Sequence, residues 1–128
     1  MILGMGLDLC SIERLRRALR VQGFRERVFS EEEIVYVADR RNPEASLAAC
    51  FAAKEAFAKA TGWGLASVGL RGVWVVRTPR GPRLEWNSEN RRRLETWGAA
   101  RCHLSLTHER DYAAAVVLLE GNDHASRL

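Results

Sequence analysis

Short apolar or alternating stretches near both ends of the chain predict strands, and apolar residues at helical spacing between them predict helices. Residues 2–9 are short, apolar and contain two glycines, a pattern typical of a fully buried strand. Side chains alternate along a strand, so one face should carry Leu3, Met5, Leu7 and Leu9. The opposite face should carry Ile2, Gly4, Gly6 and Asp8. The two glycines allow another backbone to approach this second face closely.

Two short helices are predicted after this strand. Ser11 can cap the first, which should end near Gly23 with an inner stripe of Ile12, Leu15 and Leu19. Arginines recur on its outer side and continue beyond it: Arg14, Arg17, Arg20, Arg25 and Arg27. A capping box at Ser30 and Glu33 opens the second helix, and Asn42-Pro43 ends it.

The longest predicted helix covers residues 44–61 and stops at Gly62. It is apolar nearly all round, which indicates a buried helix with close neighbours. Clearly polar side chains are few within it: Ser46, Lys54, Glu55 and Lys59.

The second half of the chain is predicted to be rich in strands. Residues 73–77 and 83–86 flank a turn and predict a hairpin, and Ser88 can cap a short helix that ends near Gly98. Residues 103–108 and 112–119 predict two more strands. This order favours a single α+β domain over residues 1–120, with a small antiparallel sheet and helices packed on one face. Residues 121–128 are predicted to be a loose C-terminal tail.

Composition narrows the class of protein. The 128 residues carry a net charge of +4, so a polyanionic partner is expected. Three cysteines without a CxxC pair argue against a disulfide framework or a zinc knuckle and favour a reducing cytosol. No signal peptide and no membrane-spanning run is recognised, so we expect a cytoplasmic protein. Of twenty cationic residues eighteen are arginine, and the two lysines, Lys54 and Lys59, flank Glu55.

Two carboxylates are candidate ligands of a hard metal ion. Glu55 and Lys59 share a helix face, and on a buried helix an unpaired charge costs several kcal/mol unless it ligates a metal. Asp8 ends the glycine-bearing row of the first strand. Together Asp8 and Glu55 suit Mg²⁺, which is bound by one or two carboxylates, waters and substrate phosphates. A surface ion pair for Glu55 and Lys59, and a helix cap for Asp8, stay open as structural alternatives.

The segment from His103 to His108 alternates polar and apolar residues. It is either a half-exposed strand or a strand whose imidazole and hydroxyl groups line an anion pocket. No GxSxG elbow surrounds Ser105, and HExxH, Walker-type and complete dinucleotide-binding motifs are absent from the sequence.

Three segments together resemble one family: residues 1–9, residues 51–62 with the K-E-x-x-x-K pattern, and residues 103–115. In this order and spacing they are similar to the holo-acyl-carrier-protein synthases, the short bacterial branch of the 4′-phosphopantetheinyl transferases. The resemblance implies transfer of phosphopantetheine from coenzyme A to a serine of an apo acyl carrier protein, with release of 3′,5′-ADP. It also implies Mg²⁺ dependence, a homotrimer with active sites at subunit interfaces, and a setting in fatty acid biosynthesis.

The resemblance further implies roles for individual residues. Asp8 and Glu55 would bind the metal, and Lys54 and Lys59 would lie at the phosphates, with Lys59 also a proton relay. Nucleotide contacts would come from His108 of the adjacent subunit and, secondarily, from Ser105 and His103. The general base stays open between Glu55 and a metal-bound water that it orients. Docking of the acidic carrier helix would fall to Arg14, Arg17, Arg20 and Arg25.

One departure from the family pattern concerns Cys50, which stands where many relatives have an arginine before the Phe-Ala-Ala-Lys-Glu segment. A phosphate or inter-subunit contact made by that arginine would be either missing or replaced, with Arg101 or Arg110 as the candidate replacement. The turn also reads Arg80-Gly81-Pro82-Arg83, without the Gly-Lys-Pro common in relatives.

Two other functions remain alternatives. A nucleic-acid-binding module would show steep salt dependence. A magnesium-dependent phosphohydrolase would act without a carrier protein.

Overall fold

The structure is a computed structural model that describes residues 1–122. Within these residues strands and helices follow one another in an α+β order, which confirms the predicted class. The elements are β1 (Ile2–Ser11), α1 (Ile12–Ala18), α2 (Phe24–Val28), α3 (Glu31–Val37), α4 (Pro43–Thr61), α5 (Leu65–Val68), β2 (Val73–Thr78), β3 (Gly81–Trp86), α6 (Ser88–Trp97), β4 (Ala99–Glu109) and β5 (Tyr112–Gly121).

The strands form two antiparallel sheets. β5 lies in the centre of a three-stranded sheet with the order β1-β5-β4, and β2 and β3 form a separate hairpin. Ala115 of β5 lies opposite both Asp8 and Leu106, which fixes the register of the larger sheet. Gly121, predicted to begin the tail, is the last residue of β5, and residues 123–128 lie outside the described part.

Helix α4 packs on one face of the larger sheet and is buried along most of its length, as its composition predicts. It also contacts α1, α3 and β2, so it is the centre of the hydrophobic core. Glycines let β1 approach it. A Cβ added at Gly6 would lie 1.9 Å from the carbonyl oxygen of Ala56, and one at Gly4 would lie 2.0 Å from that of Ala60. The glycine row therefore sets the separation of β1 and α4.

The prediction that β1 is fully buried is wrong. Met5, Leu7 and Leu9 are 66%, 67% and 64% exposed, because they point to the sheet face opposite α4. Val116 and Leu118 lie beside them in the register of β5, so this face is largely apolar. No element among residues 1–122 packs over it. We call it the open sheet face.

Local signals set most helix ends. The Ser11 hydroxyl accepts a hydrogen bond from the Arg14 amide at 3.2 Å, and the capping box of Ser30 and Glu33 forms as predicted. The helix α6 is capped by Asn87 rather than by the predicted Ser88. The first helix ends at Ala18, well before Gly23, which instead precedes α2. None of the described helices has the length and apolarity required to cross a membrane.

Candidate active site

Strand β1 and helix α4 bring Asp8, Glu55 and Lys59 together. The Lys59 ammonium donates hydrogen bonds to Asp8 Oδ1 at 3.0 Å and to the Leu7 carbonyl oxygen at 3.1 Å. The Asp8 side chain is only 16% exposed, whereas Lys59 is 56% exposed. Because the Ser11 hydroxyl caps α1, Asp8 is not needed as a helix cap. Lys59 pairs with Asp8 rather than with Glu55, so the alternative of a surface ion pair along the helix does not hold either.

The negative charges of Asp8 and Glu55 repel each other. The pKa of Glu55 is raised, first by burial and then by the negative charge of Asp8, while Lys59 acts in the opposite direction. The Cys10 thiol lies within the same field, since burial and the Asp8 charge raise its pKa to about 11. The positive charge of Arg14, the first arginine of α1, acts against this rise. A site with two facing carboxylates and one ammonium favours an added cation.

The donor set fits a magnesium ion. Asp8 and Glu55 offer hard carboxylate oxygens, and Lys59 leaves room at the surface for a charged substrate. Within residues 1–122 no group of three or more His, Cys, Asp or Glu side chains could enclose a metal. A site with only two protein ligands leaves the other positions to waters and phosphates, which is how Mg²⁺ is usually bound.

Lys54 lies away from this cluster, which contradicts its predicted position at the phosphates. Its ammonium is fully buried and donates to Glu33 Oε1 at 3.0 Å and to the Val73 carbonyl oxygen at 2.7 Å. Glu33 is equally buried and also accepts from the amides of Ser30 and Val75. Burial lowers the pKa of Lys54, but Glu33 compensates with its negative charge. The pair therefore joins α3, α4 and β2 and faces no solvent.

Glu33 was missed as a partner because its place in a capping box explains its presence without any further role. A signal for it did exist. A lysine within an apolar helix needs a buried carboxylate, and Glu33 lies in the first turn of α3, the helix that precedes α4.

His103 and Ser105 lie on the open sheet face, on the other side of the sheet from Asp8. His103 Nε2 lies 2.9 Å from Glu120 Oε1, which also accepts from Arg101 at 3.1 Å. These hydrogen bonds lower the pKa of Glu120 to about 2. Within one chain, the structure therefore does not bring these two predicted residues to the carboxylates.

His108 is exposed near the end of β4 and lines a cavity of about 470 Å³. We call this the basic cavity, and it is bounded by Tyr36, Arg40, Arg41, Asn42, Ser46, Ala49, Arg77, Leu106, Thr107 and His108. Sequence reasoning did not identify Arg40, Arg41 or Arg77. The first two directly precede the Asn42 cap, a position that gave no signal of its own.

The predicted docking arginines are all exposed. Arg14 and Arg17 lie on α1, Arg20 lies in the turn after it, and Arg25 lies on α2. Arg25 forms a surface ion pair with the neighbouring Glu26 at 3.1 Å. Since α1 directly follows β1, the basic surface begins near the end of the strand that carries Asp8.

Residues 4–117 match the family model of the 4′-phosphopantetheinyl transferase superfamily. The chain is 46% identical over 123 residues to the holo-[acyl-carrier-protein] synthase of Treponema denticola, covering 94% of this chain and 100% of that protein. It is 43% identical over 122 residues to the enzyme of the same name from Thermus thermophilus, covering 94% of each.

Solved structures of proteins with the same enzyme name are also similar to this chain. The holo-[acyl-carrier-protein] synthase of Neisseria meningitidis superposes with a TM-score of 0.87 at 35% identity, covering 94% of this chain and 99% of that one. The Bacillus anthracis synthase, solved in complex with CoA (3′,5′-ADP), gives a TM-score of 0.78 at 30% identity, with 95% and 99% covered. The family and the enzyme class predicted from the three segments are thus confirmed. The chain belongs to the holo-[acyl-carrier-protein] synthases of the 4′-phosphopantetheinyl transferase superfamily.

Proposed function

We propose that this chain transfers 4′-phosphopantetheine from coenzyme A to a serine of apo acyl carrier protein. The serine oxygen forms a new bond to the β-phosphorus of the pyrophosphate, the bond from that phosphorus to the bridging oxygen breaks, and 3′,5′-ADP leaves. The observation that carries the proposal is the cluster of Asp8, Glu55 and Lys59 beside the exposed arginines of α1. This arrangement supports a cation site next to a basic docking surface.

In the proposed mechanism, Asp8, Glu55 and Lys59 have different roles. Asp8 and Glu55 would hold Mg²⁺, which supplies positive charge to the pyrophosphate when it is bound. Lys59, whose ammonium is exposed and held by Asp8, would contact the phosphates and return a proton to the leaving group. Glu55 would accept the serine proton directly or through a water that it orients. Lys54 is left out, because its ammonium is buried against Glu33.

The nucleotide end would occupy the basic cavity that contains His108. The basic cavity is separated from Glu55 along α4. This separation favours the expectation that one subunit supplies the carboxylates and the neighbouring subunit supplies His108. Ser46 and Ala49 line this cavity, and Glu55 lies further along the same helix. Ser105 and His103, on the open sheet face, would then be interface residues that act on the nucleotide only across a subunit boundary.

A homotrimer is supported by the open sheet face. Met5, Leu7 and Leu9 are exposed side by side with Val116 and Leu118, and monomeric proteins seldom leave such contiguous apolar surface in water. The polar residues of β4 at its edge, together with Glu120, would supply hydrogen bonds between subunits. A closed assembly of three copies would cover the face in each of them.

Carrier-protein docking is assigned to Arg14, Arg17, Arg20 and Arg25. Their exposed guanidinium groups suit an acidic helix, and attraction over a basic surface speeds the encounter of small proteins. A setting in the cytoplasm and in fatty acid biosynthesis, and the absence of nucleic-acid and membrane partners, remain part of the proposal.

The test is incubation with apo carrier protein, coenzyme A and Mg²⁺, followed by mass spectrometry of the carrier. We expect a gain of one phosphopantetheine, and Asp8→Asn or Glu55→Gln should abolish it while circular dichroism stays unchanged. Glu44→Gln, on the same helix but paired with Arg16, is the matched control and should retain activity. No mass gain with any divalent ion would refute the reaction, and hydrolysis of coenzyme A without a carrier would favour the phosphohydrolase alternative. Near-normal turnover of either carboxylate variant would refute the metal assignment.

A further inference from the structure

Apolar packing fixes the rotation of helix α4 about its own axis only weakly. Twelve of its nineteen residues are buried, and eight of those twelve are alanine. A rotation by one residue, about 100°, would therefore exchange alanine for alanine over much of the helix surface. The contact with β1 sets the separation of the two elements, because Gly4 and Gly6 meet carbonyl groups of α4, which every helical residue carries. The direction of Glu55 is thus determined less sharply than on an amphipathic helix.

The buried pair of Glu33 and Lys54 adds directional contacts. Both side chains are fully buried, and no other charged residue is buried within residues 1–122. Lys54 Nζ donates to Glu33 Oε1 at 3.0 Å and to the Val73 carbonyl oxygen at 2.7 Å. Glu33 also accepts from the Ser30 amide at 3.0 Å and, through Oε2, from the Val75 amide at 2.9 Å. Lys54 is therefore tied to α3 and to β2 at the same time.

A rotation of α4 would break these contacts. Glu33 would stay charged in the core without its partner, and the Val73 carbonyl oxygen would lose a donor. A buried charge without a partner is strongly destabilising, whereas exchanging one alanine contact for another changes little. Buried polar groups specify the register of some packed helices even where they add little net stability. The pair therefore favours one rotation of α4 over its neighbours.

This rotation decides the direction of Glu55. Glu55 follows Lys54 directly, so the two side chains leave the helix about 100° apart. With Lys54 directed to α3 and β2, Glu55 lies on the helix face that it shares with Lys59. On that face Lys59 Nζ lies 3.0 Å from Asp8 Oδ1.

We propose that Glu33 and Lys54 are positioning residues, which fix the rotation of α4 and thereby direct Glu55 to the metal site. Neither side chain reaches the surface, so both act only through Glu55. The inference rests on the proposed function, in which Asp8 and Glu55 hold Mg²⁺.

Electron paramagnetic resonance of Mn²⁺ with the full chain tests the inference, since Mn²⁺ accepts the same carboxylate ligands as Mg²⁺. The double variant Lys54→Met/Glu33→Gln keeps side chains of similar length and removes both charges. We expect its Kd for Mn²⁺ to rise by roughly 10- to 100-fold, the range typical when a group that orients a metal ligand is lost. The turnover number with apo carrier protein should fall by a similar factor. The KM for the carrier should change by less than about twofold, because the docking arginines lie on other elements.

Phe57→Leu is the matched control on the same helix. Phe57 is fully buried and stacks on Trp86 with ring centroids 6.0 Å apart, so the change weakens apolar packing without touching the ion pair. Urea denaturation should show a less stable protein that binds Mn²⁺ like the wild type. Glu33→Gln alone, which keeps an acceptor oxygen, should raise the Kd for Mn²⁺ in the same direction as the double variant. Asp8→Asn should abolish the binding and so assign it to the carboxylates.

The inference is overturned if the double variant binds Mn²⁺ like the wild type, or if Phe57→Leu weakens binding as much as the double variant does. The second result would mean that apolar packing, rather than the ion pair, directs Glu55. Binding that survives Asp8→Asn would overturn the inference together with the metal assignment. Failure of the proposed function alone has a separate signature. The Mn²⁺ results would then follow the expectation, while the wild type would leave apo carrier protein unmodified in the presence of coenzyme A and Mg²⁺.

Discussion

Replacing Gly6 by alanine should disturb the fold and the active site together. Gly6 lies on the face of β1 that meets α4, two residues before Asp8. The added Cβ would lie 1.9 Å from the Ala56 carbonyl oxygen and 2.8 Å from the Ala60 amide nitrogen. Carbon and oxygen atoms approach to about 3.3 Å in close backbone contacts. The strand and the helix must therefore separate by more than about 1 Å, since both obstacles are backbone atoms that cannot rotate away.

The expected magnitude follows from this separation. Overpacking a tight interior costs about 1–3 kcal/mol, and the backbone clash favours the upper end of that range. Glu55 directly precedes Ala56, so moving β1 away from α4 lengthens the gap between the Asp8 and Glu55 carboxylates. A displacement of about 1 Å in a catalytic arrangement can cost about 100-fold in rate. We expect a loss of turnover of this order, together with a higher Mg²⁺ concentration for half-maximal activity.

Urea denaturation measures the loss of stability. Carrier-modification kinetics over a range of Mg²⁺ concentrations measure the loss of turnover and the change in Mg²⁺ dependence. Val68→Ala is a suitable control, because it removes volume from a buried position on α5 without touching β1. It should lower the free energy of unfolding and leave the Mg²⁺ dependence unchanged. The reasoning fails if Gly6→Ala is as stable as the wild type. It also fails if the variant is destabilised but shows the turnover and Mg²⁺ dependence of the control.

Three further predictions concern other parts of the molecule. In urea denaturation, Lys54→Met should lower the free energy of unfolding by about 3–5 kcal/mol, because it leaves Glu33 charged and buried. The double variant with Glu33→Gln removes that charge and keeps an amide oxygen as an acceptor for a backbone amide, so it should recover part of the loss. A single variant no less stable than the double would contradict this. Leu7→Asp should lower the assembly mass in sedimentation, and an unchanged mass would refute an interface at the open sheet face. Glu120 has a folded pKa of about 2 against an ordinary 4.5, so its contribution to stability is present above pH 4.5 and is lost as the pH falls towards 2. Acid titration of Glu120→Gln should therefore show a shallower loss across this window, and a slope equal to that of the wild type would exclude the effect.

Local signals in the sequence predicted much of the fold and part of the site. Ser11 and the capping box of Ser30 form their caps, and the apolar composition of α4 correctly indicated a buried helix. Asp8 and Glu55 were predicted to act together as metal ligands, because the glycine-lined face beside Asp8 and the buried helix around Glu55 make ordinary structural roles costly. These signals act over a few residues or through simple periodicity, and tertiary structure does not override them.

The errors at the site involve contacts between distant segments. Whether Lys54 or Glu55 points into the core depends on Glu33, which lies 21 residues before Lys54. A helix that is apolar nearly all round offers no periodicity from which to decide between two adjacent charges. Arg77 was overlooked for the same reason, since its neighbours Tyr36 and Cys50 are joined to it only by the fold.

The exposure of Leu7 and the position of Asp8 have a common cause in the close contact between β1 and α4. That contact admits only glycines at positions 4 and 6, so the apolar residues of β1 must occupy the other face. The same contact carries Asp8 to Glu55 and Lys59. In the proposed function, the strand therefore combines a catalytic face and an association face whose side chains alternate, and a change of register by one residue would exchange them. For this reason we expect self-association and catalysis to be coupled through β1, with variants of the open sheet face altering turnover as well as assembly.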